Sequence, residues 1–270
     1  MSKINLDVFK NQETLRKFNS FTKYPSIPTY HEIVEGILQN NLTPGLDFNF
    51  QKIEIYEKID GENLRICFIK EHNKPVDYII GSREEILHAR GDRIINTTGN
   101  MVNMTLDIAE RIAEDLMVSN GNYGVSCFYF EIYGGKTNKR KNYTNDNKVY
   151  GLRLFDHWYM NLEESRKVLD MPIERISSWR ENKGQDYTIS KYRNMLAVKY
   201  DLEPVPFIDT VDFIPDTLTE VYEFLKQFEI TKAGLNVDGN SEGIVIRTTD
   251  RKQIAKIRFE DYKKTLFPKK

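Results

Sequence analysis

Lys58-Ile59-Asp60-Gly61 places a lysine two positions before an Asp-Gly pair, between two runs rich in β-branched and aromatic residues. An amine can attack an electrophile only when neutral, and a lysine with its ordinary pKa of ~10.4 is almost wholly protonated at pH 7. Burial or adjacent positive charge would favour the neutral form. Without such neighbours the tetrapeptide reads as an exposed hairpin turn, so the rest of the chain decides between the two.

Three other stretches supply candidates. In "QIAKIRFEDY" (253–262), strand alternation puts Ile254, Lys256 and Arg258 on one face and Ala255, Ile257 and Phe259 on the other. The two cations then stand about 7 Å apart, either as solvated edge charges or as a clamp for a polyphosphate. "SEGIVIRTT" (241–249) sets Glu242 before a glycine and a short apolar strand that carries Arg247. "FYFEIYGG" (128–135) groups Tyr129, Glu131 and Tyr133 on one face, with Phe128 and Phe130 turned to the core. Glutamates on strands are ordinarily solvent-facing; two flanked by glycine and apolar residues are well placed to hold a hydrated Mg²⁺.

These stretches need a scaffold. The 270 residues carry a net charge of −1, with 40% apolar and 29% charged side chains, an ordinary composition for a chain that buries a substantial core. Near-neutrality excludes gross attraction to nucleic acid or anionic membrane and leaves local patches open. Cys67 and Cys127 lie in apolar strand-like runs and read as buried thiols of a reducing compartment. The four histidines are scattered without metal-ligand spacing. No apolar signal core opens the chain and no run approaches the ~18 residues of a spanning helix, so an intracellular, cytoplasmic protein without a membrane partner is expected.

Periodicity predicts a short helix around residues 11–20, a second from about Tyr30 to Gln39, and then an antiparallel meander formed by "KIEIYEKI", "NLRICFIK" and "DYIIGSR". Residues 101–119 follow a helical pattern through Leu106, Ala109, Ile112, Ala113 and Leu116. Strands resume at 124–135 and 148–159, helices at about 162–170, 188–200 and 217–228, and strands again near 243–249 and 253–259. Strands and helices are grouped, not alternating, which predicts an α+β fold of antiparallel sheets flanked by helices.

The order of these pieces is more specific than any one of them. Lys58-x-Asp60-Gly61, Ser82-Arg83, "FEIYGG", "LRLFDHW", Glu242-Gly243-x-Val245-x-Arg247 and Lys256-x-Arg258 resemble motifs I, Ia, III, IIIa, IV and V of the covalent nucleotidyltransferase superfamily, which contains DNA ligases, RNA ligases and capping guanylyltransferases. "EKIDGENLRI", the "KYPSIP" prelude and the gap of roughly 70 residues between Lys58 and Glu131 look most like the phage and bacterial ATP-dependent RNA ligases. The resemblance runs from about residue 22 to residue 262.

It implies that Lys58 attacks the α-phosphorus of ATP, becomes lysyl-AMP and passes AMP to a polynucleotide 5′-phosphate, which is then sealed to a 3′-OH. By the same resemblance Glu242, Glu131 and Asp60 serve Mg²⁺, with Mn²⁺ as a substitute. Lys256 and Arg258 contact phosphates, and Glu57, Glu131 and Phe155 belong to the nucleotide pocket, Phe155 by stacking on adenine or else as core. Arg83 contacts ribose or the substrate 5′-phosphate. Arg258 stands where the family commonly has lysine; it keeps the charge and cannot donate a proton.

The implied architecture is a nucleotidyltransferase (ATP-grasp-like) domain over 46–270, braced by an N-terminal helical segment over 1–45. Only 12 residues follow Arg258, so an oligonucleotide-binding barrel after the last motif is not expected. RNA or DNA ends must then be gripped elsewhere; Lys136, Lys139, Arg140 and Lys141 in "GGKTNKRKNY" are candidates, or simply a solvated loop. No protein partner is implied. A minimal DNA ligase shares every motif, and a nucleic-acid-binding module of the same fold without activity is the alternative of another class.

Overall fold

A computed structural model describes residues 11–49, 51–90 and 101–268. Helix α1 (Gln12–Thr22) starts at Asn11, whose side chain accepts from the Glu13 amide and caps the first turn. Strands β1 (His31–Val34) and β2 (Ile37–Leu42) form a hairpin where a helix is expected from Tyr30 to Gln39. Ile33, Val34, Ile37 and Leu38 suit either period. The turn decides: Glu35 and Gly36 both take positive φ, 51° and 77°, as a two-residue hairpin turn that follows strand twist requires.

The expected three-strand meander is split between two sheets. Strand β3 (Ile53–Lys58) joins a four-stranded sheet, whereas β4 (Glu62–Lys70) and β5 (Asp77–Ser82) join a five-stranded one with β6 (Ile86–Ala89). Residues 59–61 therefore cross from one sheet to the other and do not form a hairpin turn. The five-stranded sheet is completed by β7 (Gly124–Gly134) and β8 (Tyr150–Asn161), in the order β6-β5-β4-β7-β8, all antiparallel. The four-stranded sheet has the order β11-β10-β3-β9, with β9 (Phe207–Val211), β10 (Gly243–Thr248) and β11 (Ile254–Arg258), again antiparallel.

Helix α2 (Met101–Val118) lays Ala109, Ile112 and Ala113 on one face of the five-stranded sheet against Ile66, Phe68 and Phe128. The opposite face, through Cys67, Cys127, Tyr129 and Trp158, is covered by Phe18 and Phe21 of α1 and by α3 (Leu162–Leu169) and α4 (Ile173–Glu181). Both cysteines are buried free thiols, as expected, directly opposite one another in the β4–β7 ladder. Because both faces of β7 are covered, Tyr129 and Tyr133 are as buried as Phe128 and Phe130; the alternation holds, but it separates two cores and not core from solvent. Helix α5 (Ser190–Lys199) adds Ala197 to the first of these cores.

A third core lies under the four-stranded sheet, where Ile53, Ile55, Ile244, Ile246, Ala255 and Ile257 meet α6 (Leu218–Lys226) and α7 (Phe259–Leu266). Tyr30 and Leu38 belong to it and Phe18 and Phe21 to the second core, so the N-terminal residues reach both sheets. Residues 28–30 also extend the four-stranded sheet: Tyr30 N–H donates to the Lys256 carbonyl and Lys256 N–H to that of Pro28. Among the described residues no helix is long and apolar enough to cross a membrane, and α7 follows β11.

Candidate active site

The second face of the four-stranded sheet carries the candidate site. Alternation that sends Ile53 and Ile55, Ile244 and Ile246, and Ala255 and Ile257 into the core turns Tyr56 and Lys58, Val245 and Arg247, and Lys256 and Arg258 the other way. They line a cleft of about 530 Å³ whose far wall comes from Glu131 and Phe155 of the five-stranded sheet, with residues 24–27 and Arg83 also contributing.

At the crossing between sheets, Lys58 is held from several directions. Its Nζ donates to Glu242 Oε2 at 2.6 Å, with the two side chains only 23% and 18% exposed. The contact is built in by register: Lys58 lies opposite Gly243 in the β3–β10 pair, and the Glu242 amide donates to the Lys58 carbonyl at 3.2 Å. Gly61 N–H donates to Glu131 Oε1 at 3.2 Å. Glycine is required there, because a Cβ on residue 61 would lie 2.2 Å from the Ile132 carbonyl oxygen. Gly243 is the matching case, at φ 152° with the Ile257 carbonyl 2.1 Å from where a Cβ would sit.

Crowded carboxylates set the electrostatics. Burial pushes the Glu131 carboxyl up to about 7; Lys58 opposes this, while Glu242 and Asp60 reinforce it. Asp60 is raised by burial and by Glu242, again against Lys58. Lys256 is lowered by burial and by the like charges of Arg258 and Lys58. Arg258 donates through Nε and Nη2 to Asp261, each at 2.8 Å, and its Nη1 stands 3.7 Å from Glu242 Oε1; against the cost of burial, the Asp261 pair holds its pKa up.

Among the described residues no three His, Cys, Asp or Glu side chains form a dedicated metal cage. The donor set nonetheless fits a hard cation held by one or two carboxylates, water and substrate phosphate, the usual Mg²⁺ arrangement. Glu242 raises the proton affinity of both Asp60 and Glu131, and Asp60 adds to that of Glu131, a repulsion that a bound cation would relieve.

The profile of the RNA ligase family matches residues 51–258. That span is more than half the chain. The chain belongs to the RNA ligase family, within the covalent nucleotidyltransferase superfamily. No curated protein matches it. Among solved structures it is similar to Naegleria gruberi RNA ligase with pyrophosphate, at TM-score 0.55 and 14% identity over 90% of this chain and 58% of that one. A lysine-to-alanine variant of the same ligase with ATP and Mn matches at 0.54 and 15%, over 88% and 59%. A lysine-to-methionine variant with AMP and Mn matches at 0.53 and 15%, over 88% and 62%. The likeness is one of fold, and the chain spans less than two thirds of the length of those ligases.

Most of the residues expected from the motif resemblance meet in the cleft. Lys58, Asp60, Glu131, Phe155, Glu242, Lys256, Arg258 and Arg83 all line it. Phe155 is part-buried, edge-on to Tyr24 at 5.0 Å between ring centres, with a surface left on the cleft. Arg83 lies at the rim, 63% exposed, with Nη2 donating to Ser26 Oγ at 3.2 Å. Glu57 differs: its carboxylate points to the other side of β3, where it accepts from Thr231 Oγ1 and, at 2.7 Å, from the Lys232 amide. Burial raises its pKa against those donors, and its carboxylate anchors a loop although the residue also borders the cleft. Lys136, Lys139 and Lys141 are exposed on the loop between β7 and β8, whereas Arg140 is half-buried and reaches the Asn145 carbonyl at 3.4 Å.

Several residues of the site have no ligand role implied by the motifs. Asp156, next to Phe155, is 1% exposed; its carboxylate accepts from Tyr24 Oη at 2.8 Å and Arg251 Nε at 3.0 Å, with Arg247 at 3.8 Å. Here the cations win: Arg251 and Arg247 outweigh burial and hold the Asp156 carboxyl below its ordinary range. The Tyr56 ring is contacted by the guanidinium groups of Arg247, 4.2 Å from its centre, and Arg193, at 4.7 Å. Asp156 reads from sequence only as a cap or ion pair. Arg193 and Arg251 give no local signal, except that Arg251 is a turn residue at φ 64° beside Asp250.

Proposed function

We propose that this protein is an ATP-dependent RNA ligase that self-adenylylates on Lys58. The observation that carries the reading is the placement of the Lys58 amine 2.6 Å from Glu242, in a cleft also lined by Glu131, Lys256 and Arg258. In the first step the neutral amine attacks the α-phosphorus of ATP; the N–P bond forms, the bond to pyrophosphate breaks, and the amine's proton passes to solvent or to Glu242. Lys256 and Arg258 receive the charge that develops on the phosphate oxygens. A polynucleotide 5′-phosphate then displaces lysine from phosphorus. Finally a 3′-OH attacks that 5′-phosphate and releases AMP.

Glu131, Glu242 and Asp60 would hold Mg²⁺ or Mn²⁺ and its waters. When bound, the cation supplies neutralisation of phosphate charge. The ATP and Mn present in the Naegleria gruberi variant support a nucleotide and a divalent ion here. Phe155 stacks on the base and Arg83 meets ribose or the 5′-phosphate. Lys136, Lys139, Arg140 and Lys141 form the phosphate-binding surface for RNA, which keeps the two ends near Asp60.

Incubation with α-labelled ATP or GTP and Mg²⁺ tests the first step. Protein-bound label that is acid-labile and alkali-stable, from ATP and absent in Lys58→Ala, is the expected result. Labelling from GTP alone would indicate capping chemistry, and no labelling would indicate a binding module. Ligation of nicked RNA, nicked DNA and hybrids then separates an RNA ligase from a DNA ligase.

A further inference from the structure

Lys58 is flanked by two residues whose fixed points lie outside every motif, and both lead to Tyr143. On one side, the Asp60 amide donates to Tyr143 Oη at 2.7 Å. On the other, the Glu57 carboxylate is held by residues 231–232. The loop that continues from there, 233–239, is itself tied to Tyr143, whose carbonyl accepts from the Leu235 and Asn236 amides at 2.9 and 3.2 Å; Gly239 N–H donates to the adjacent Asn142 carbonyl at 3.0 Å. Tyr143 thus joins loops from the two sheets, one following β7 and the other preceding β10, and grips the nucleophile turn through their junction.

The side chain is suited to this. Tyr143 is fully buried, edge-on to Tyr133 at 4.9 Å and packed with Ile59, Ala233 and Val205, so its ring has one place to sit. Three successive groups of the turn are then held from three remote segments: the Lys58 carbonyl by Glu242 N–H, the Asp60 amide by Tyr143, and the Gly61 amide by Glu131. Two of these partners belong to motifs; the third does not.

Resting on the reading of Lys58 as the nucleophile, we propose that Tyr143 is a positioning residue, its hydroxyl oxygen holding the Asp60 amide so that the Lys58 amine meets the α-phosphorus in line. Phenylalanine keeps the ring and removes only that acceptor. A small misplacement of an attacking atom is enough to slow a reaction that depends on alignment. It leaves nucleotide binding, which falls to Phe155, Lys256 and Arg258, in place.

The test measures Tyr143→Phe in single-turnover formation of lysyl-AMP, with ATP affinity measured in the unreactive Lys58→Ala background and melting temperature alongside. A fall of about tenfold in rate, the loss expected for one hydrogen bond, with ATP affinity within about twofold, supports positioning. Tyr133→Phe is the control; it removes a hydroxyl that accepts from Arg153 and does not touch the turn, and its rate stays at the wild-type value. A wild-type rate in Tyr143→Phe overturns the proposal, and so does a fall matched by equal losses of ATP affinity and melting temperature. If the wild-type protein forms no lysyl-AMP, the reading of Lys58 fails first. If it does and Tyr143→Phe is unaffected, only the role of Tyr143 fails.

Discussion

Two clusters of charge meet the same cleft with opposite electrostatics. Around Asp156, the oxygens are taken up by Arg251, Tyr24 and Arg247, and the carboxyl is held below its ordinary range. Around Lys58, like charges crowd: Glu131 and Asp60 are raised, and Lys256 is lowered beside Arg258. The same residue types therefore serve two ends. A cluster that satisfies itself fixes geometry, whereas one that leaves repulsion unrelieved is ready for a ligand that brings the missing charges, as a nucleoside triphosphate with its divalent cation would.

The comparison breaks most sharply on substitution of the central residue of each cluster. Lys58→Ala should abolish lysyl-AMP formation, by at least about a thousandfold, while leaving the melting temperature near that of the wild type, since the side chain is part-exposed and anchors no core. Asp156→Ala should do the reverse in kind. It leaves Arg251 buried without its carboxylate, while Arg247 keeps Glu54 at 3.5 Å, a loss of about 3–5 kcal/mol, measurable as a fall in the denaturant midpoint with activity lost only through unfolding. Equal stability losses from the two substitutions would contradict the division.

A smaller effect sharpens it. The folded Glu131 carboxyl titrates at about 7, but an unfolded glutamate titrates near ~4.3. Between those values the folded chain holds a proton that the unfolded chain has lost, so stability falls as pH rises across that window and levels off above about 7. Glu131→Gln removes the dependence and should gain about 1–3 kcal/mol over the wild type above pH 7, while slowing adenylylation, as expected of a group kept ionisable for a ligand. Urea denaturation at pH 5 and pH 8 checks the sign; a wild type more stable at the higher pH, with the difference removed by Glu131→Gln, would reverse it. Smallest is Lys139→Ala, which should weaken RNA binding a few-fold and lower the slope of log affinity against log salt by about one, without changing the rate of lysyl-AMP formation.

What could be read in advance follows the range of the interactions involved. The face shared by Lys256 and Arg258, the face of Glu131 and the helix at 101–118 rest on contacts within a few residues, and strand or helix period shows them. Whether Lys58 lies on a hairpin or between two sheets depends on Gly243 pairing opposite it and on Ile132 approaching Gly61. Those partners are remote in sequence, and only the order of the motifs hinted at them. The hairpin at 31–42 replaces the helix expected from Tyr30 to Gln39 because its apolar residues fit both periods and only the Glu35-Gly36 turn decides between them. Asp156, Arg193, Arg251 and Tyr143 act through partners more than thirty residues away, and a single buried arginine or tyrosine has no local pattern to announce it.

The central claim is that the amine of Lys58 becomes the covalent carrier of AMP. Mass-spectrometric mapping of the protein after reaction with ATP and Mg²⁺ tests it most directly. The account predicts one AMP-bearing peptide with the adduct on Lys58, absent when pyrophosphate is added back and absent in Lys58→Arg. An adduct on any other residue, or its persistence in Lys58→Arg, would contradict it.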